Sequence, residues 1–126
     1  MLKIQLQEKE MLDFMKVHGY AVDYLHSTPK STKGFQTIVG ENGENVSVSG
    51  YTDAYAYGLA EITKWRNEGR KTPKPKPMAT GHAYCSVFDQ FTRRRGRIIA
   101  LARLMKKLEL TKKFRRFKIA NKELNK

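Results

Sequence analysis

Leu6, Met11, Leu12 and Met15, with Phe14 beside them, recur at helical spacing, while Glu8, Lys9, Asp13 and Lys16 take the intervening positions. The pattern predicts an amphipathic helix over residues 6–18, with Gly19 as its stop. Over residues 20–26 the period shortens to two, with Tyr20, Val22 and Tyr24 on one face, as in a strand. Residues 27–34 are polar and turn-rich and read as a loop. Residues 35–39 and 46–49 are short β-prone runs, and Asn42-Gly43 between them is a strong hairpin signal. Thr52 is placed to N-cap a helix running through Trp65, with Tyr55, Leu59 and Ile62 on one face. The first half therefore predicts helix, three antiparallel strands, helix.

Residues 69–81 interrupt the pattern. Lys71, Lys74 and Lys76 alternate with Pro73, Pro75 and Pro77, and each proline disfavours the α conformation before it, so an extended, solvated linker is expected over 70–80. Residues 82–87 suit one more strand. Asp89 is placed to cap a long helix over 90–109, with Phe91, Ile98, Leu101, Ala102, Met105 and Leu108 in one apolar arc. Arg93, Arg97, Ala100, Leu104 and Lys107 form a neighbouring stripe, and a shorter tail helix is expected over 111–124. The fold class is α+β. Its organisation is a scaffold (1–69), a basic proline-rich linker (70–80), and a strand with basic helices packing on the scaffold (81–126).

Charge then divides the chain. Residues 1–69 hold 7 Lys and Arg against 9 Asp and Glu, a net −2, whereas from Arg70 onward there are 18 against 3, a net +15. A field this one-sided attracts polyanions, which makes nucleic acid the expected partner class. Cys85 is the single cysteine among 126 residues, so an intrachain disulfide is impossible and a reducing compartment, the cytoplasm, is expected. No apolar run has the length of a membrane span, and the opening residues lack the apolar centre of a secretion signal, so no membrane partner is expected.

Arginine presents a planar fork suited to bidentate contact with phosphate, and the helix expected over 90–109 is rich in it. The candidate nucleic-acid contacts are Arg93, Arg94, Arg95, Arg97, Arg103 and Lys107 on that helix. Lys112, Lys113, Arg115 and Arg116 on the tail join them, with Lys71, Lys74 and Lys76 in the linker. Gly96, among these cations, would allow close approach of another backbone or a phosphate. Phe114 and Phe117 have two readings, stacking on exposed bases or packing inward as i, i+3 neighbours. His82 and Cys85 lack the second ligand pair a zinc site needs. The basic half has only Asp89, Glu109 and Glu123, too scattered for a two-metal phosphodiesterase. No metal, cofactor or catalytic activity is expected.

Two resemblances add to this. The order of elements over residues 6–67, with a polar loop after the first strand and the Asn42-Gly43 hairpin, resembles the double-stranded-RNA-binding domain. That family grips phosphates through a lysine-rich opening of its second helix. Thr52-Asp53-Ala54-Tyr55-Ala56-Tyr57 stand there in this chain, so the resemblance implies the fold and not the grip. Residues 81–104, from Gly81-His82-Ala83-Tyr84-Cys85 through Asp89-Gln90-Phe91-Thr92-Arg93 to Gly96-Arg97 and Ala100-Leu101-Ala102-Arg103, look like a box found in small basic proteins of bacteriophages and other mobile elements. That resemblance implies a phage product in the cytoplasm of a bacterial host. The leading expectation is a non-enzymatic protein binding DNA or RNA. The alternative is an anti-defence inhibitor of the anti-CRISPR kind, bound to a host RNA-guided nuclease or its guide RNA.

Overall fold

A computed structural model describes residues 3–28, 36–40, 42–86 and 92–124. In chain order they form α1 (Lys3–Val17), β1 (Tyr20–Ser27), β2 (Gln36–Val39), β3 (Asn45–Gly58), α2 (Leu59–Asn67), β4 (Ala79–Ser86), α3 (Arg93–Lys107) and α4 (Thr111–Leu124). The class is α+β, with four helices and a four-stranded antiparallel sheet.

β3 is the axis of that sheet. β1 pairs with its residues 51–58 and β2 with 45–48, so these two strands lie end to end along one edge. β4 takes the opposite edge, pairing from Ala56↔Ala79 to Val48↔Ser86, with a register irregularity between Val48 and Gly50. At the β2–β3 turn Gly43 takes the positive φ of 82° that the hairpin requires, and the Gly40 amide donates to the Glu44 carbonyl at 2.7 Å.

The length of β3 corrects the sequence reading. Thr52 does not cap a helix. It lies fully buried in mid-strand, and α2 begins only at Leu59, after Gly58. Residues 51–57 carry a period-two pattern along with the helical one: Thr52, Ala54 and Ala56 are buried, while Tyr51, Asp53 and Tyr55 alternate with them on the other face. Tyrosine and threonine favour a pleated surface, and pairing on both edges settles the competition in favour of strand.

Small residues floor the buried face. Ala54 and Ala56 of β3, Ala79, Gly81 and Ala83 of β4 and Val22 of β1 share it by register. Onto this bed α1 brings Met11, Phe14 and Met15, and α3 brings Ala100, Leu101, Leu104 and Met105, all in one core cluster. α1 packs over β1 and α3 over β3 and β4, side by side. The segment after the linker thus shares its core with the first half.

α3 is turned from the expected wheel. Gly96, Ala100, Leu101, Leu104 and Met105 are its buried residues, whereas Ala102, expected in the apolar arc, is exposed. Its N-cap position is Thr92, so the helix starts later than expected. The Asp89 cap and Phe91 lie outside the described residues. At its end Glu109 takes a φ of 60° and the Leu110 amide bonds to the Met105 carbonyl at 2.8 Å, a tight stop that turns the chain into α4. No described helix is long and apolar enough to cross a membrane.

Candidate nucleic-acid interface

The expected contact residues separate into those the protein uses itself and those it presents outward. Arg97 belongs to the first group. Its Nε donates to both Glu8 carboxylate oxygens, at 2.8 and 3.1 Å, and its guanidinium lies 6.0 Å from the Tyr24 ring centre. With side-chain exposures of 27% for Arg97 and 18% for Glu8, this is a half-buried clasp between α3 and α1. Beneath it, burial, reinforced by the Glu8 charge, raises the pKa of the Tyr24 phenol above its ordinary value, with Arg97 opposing. The acid that pairs with α3 comes from 89 positions away, which no scan for i+4 partners finds.

Lys74 is also occupied. Its Nζ donates to Asp23 at 2.9 Å and sits 4.6 Å from the Tyr57 ring centre and 5.9 Å from that of Trp65. The bond to Asp23 raises its pKa. Trp65 Nε1 donates to the Thr72 carbonyl at 2.8 Å, and Arg70 stacks over Trp65 at 5.5 Å. The linker is therefore tied down across α2 and β1 at this point, and is not the fully solvated strap expected. Lys71 and Lys76 are exposed.

Gly96 is buried. It does not lie on the exposed surface where close approach of a partner was expected. Gly81 is packed tightly against the α3 backbone. A Cβ there would run into the Ala100 carbonyl oxygen and stand 2.6 Å from the Leu104 nitrogen. The aromatic tail residues also turn inward: Phe114 and Phe117 place their ring centres 5.1 and 5.3 Å from that of Phe14. Phe114 packs against the core, while Phe117 stays 43% exposed.

The remaining cations point outward. Arg93, Arg94 and Arg95 are exposed in the first turn of α3, which has no acidic residue and no side-chain cap. Cations there oppose the helix dipole, a cost of about 0.3–1 kcal/mol each when exposed. Lys112, Lys113, Arg115 and Arg116 are exposed along α4. Arg103 donates from Nη1 to the His82 carbonyl at 2.6 Å, which anchors it over the β4 edge. There Arg103, Lys106 and Lys107 of α3 face His82 and Tyr84 of β4 and Asn42 and Glu44 of the hairpin across a groove of about 540 Å³.

The sequence reading did not count Lys106 among the candidate contacts, and it weighed His82 on β4 only as a metal ligand. His82 Nδ1 donates to Asp53 Oδ1 at 2.6 Å, and the Tyr55 hydroxyl donates to Asp53 Oδ2 at 3.2 Å. Burial, then the Asp53 charge and this hydrogen bond, raises the Tyr55 pKa. His82 and Cys85 stand opposite Asp53 and Gly50 and so take opposite faces of the sheet, which prevents joint ligation. Among the described residues no three His, Cys, Asp or Glu side chains gather where they could hold a metal ion. No known protein family, curated protein or solved structure matches this chain.

Proposed function

We propose that this chain is a non-enzymatic nucleic-acid-binding protein that holds phosphates on α3, α4 and the groove between α3 and β4. One observation carries the reading. The fold pairs Arg66 and Lys74 with Asp23, Arg97 with Glu8 and Lys118 with Glu10. It leaves Arg93, Arg94, Arg95, Arg103, Lys106, Lys112, Lys113, Arg115 and Arg116 exposed, with no carboxylate at ion-pairing distance among the described residues. Cations concentrated in this way repel one another in the free protein and are relieved by a polyanion. The reading needs no cofactor and no catalytic group. A phage product acting on nucleic acid in a bacterial cytoplasm would suit it.

Salt dependence is the test. Fluorescence anisotropy with labelled DNA and RNA should show log affinity falling linearly with log salt. Arg95→Glu or Arg116→Glu should reduce the slope by about 1 for each phosphate no longer neutralised. Binding that does not change with salt would overturn the proposal.

A further inference from the structure

The core cluster draws α1 and α3 onto one face of the sheet. The opposite face carries the odd-numbered positions of β3 and their partners. In register these are Tyr51↔Tyr84, Asp53↔His82 and Tyr55↔Thr80 on the β4 side, with Leu25 opposite Asp53 on the β1 side. The linker crosses this face at Tyr57 and Asp23, through Lys74. Toward Tyr51 the face stays half exposed, and Leu25 is 49% exposed. Here the surface is aromatic: Tyr51 and Tyr84 stand side by side across the strands, and the His82 ring lies 5.8 Å from that of Tyr84 at an interplanar angle of 9°. His82 and Tyr84 also line the groove, and across the β4 edge stand Arg103 and Lys106.

We propose that this face is a stacking platform for single-stranded nucleic acid, with bases laid on Tyr51 and Tyr84 and phosphates passing along Arg103 and Lys106. The proposal rests on the phosphate-binding reading above and adds the form of the ligand. Every base has a π-face that an aromatic ring can stack on, and in a single strand these faces are available. A duplex buries them in its own stack and offers a protein only edges and backbone. Half-exposed tyrosines on a sheet, one strand away from a cationic rim, suit the first ligand better than the second. Asp53, the carboxylate between the rings on β3 and β4, already accepts from His82 and from Tyr55 and would lie beneath bases, not phosphates.

The experiment compares three labelled ligands of about 12 nucleotides on the full chain: a single strand, the same strand made abasic, and its duplex. The single strand should bind about tenfold or more tighter than the abasic strand, which has equal charge and no rings. Y51L/Y84L should erase that difference, Y51F/Y84F should keep it, and R103E/K106E should weaken all three ligands. If the abasic strand or the duplex binds as tightly as the single strand, the platform is overturned while phosphate binding stands. If a poly-glutamate peptide binds as tightly as the single strand, the platform is overturned as well. Failure of all three nucleic acids to bind would remove both readings. The abasic comparison uses the unaltered protein, so unfolding of a tyrosine variant leaves the test decisive.

Discussion

Gly81 lacks a side chain because α3 leaves no room for one, its backbone at Ala100 and Leu104 lying against the strand. Since the obstacle is main chain, it cannot swing away. Gly81→Ala should cost about 1–3 kcal/mol or more through overpacking, visible as a melting temperature lowered by several degrees. Glu109 is the opposite case, a residue with a side chain in a left-handed conformation at φ 60°. Glu109→Gly should raise stability by up to about 1 kcal/mol in the same assay. His26 sets a pH dependence. Burial, then the charges of Arg97 and Arg93, lowers its pKa from the ordinary 6.5, with Glu8 opposing. The unfolded chain therefore binds the proton more readily, and stability rises with pH in this window. The contribution is fully present above pH 6.5 and is lost as pH falls through the lower folded value. Denaturant titrations across this range should show the loss, and His26→Gln should flatten it.

At the scale of elements, α3 has two tasks on two faces. Its buried stripe from Gly96 to Met105 docks on the sheet, and its cations lie on the remainder. Arg97 stands at the boundary, bound to α1 through Glu8. Arg97→Gln should cost about 1–3 kcal/mol, because the half-buried Glu8 carboxylate loses a charged partner. A double-mutant cycle with Glu8→Gln should recover most of that as coupling. Arg95→Glu, on the exposed side of the same helix, should not lower the melting temperature, since an acid in the first turn suits the helix dipole, while it weakens the proposed nucleic-acid binding. The placement of α4 depends on aromatic contact: Phe14→Ala should cost about 3–5 kcal/mol, since Phe14 is buried and meets both Phe114 and Phe117.

For the whole molecule, the first half supplies the acids and the second half the excess of cations. Asp23 of β1 neutralises cations of α2 and the linker, and Glu8 and Glu10 neutralise cations where α3 and α4 meet α1. The uncompensated charge collects on the outward surfaces of α3 and α4. Added salt should therefore stabilise the free protein by screening its self-repulsion, while weakening the proposed complex with nucleic acid. Melting temperature and affinity measured over one salt series should move in opposite directions.

Residues 20–26, the Asn42-Gly43 turn and the tail helix over 111–124 were legible from local pattern, because each is specified by neighbours within a few positions. The charge division was legible too, since net charge needs no coordinates. The end of β3 was not: residues 51–57 satisfy two periods, and only strands on both edges choose between them. Nor was the division of the arginines. Their spacing marks them alike, yet Arg97 meets a carboxylate 89 positions away and Arg95 meets none among the described residues. The same holds for Tyr51 and Tyr84, 33 positions apart in the chain and adjacent by strand register. The sequence by itself determined the kinds of elements and the sign of the field. Which cations face outward, and which rings share a face, depends on contacts between distant segments, and these exist only once the chain has folded.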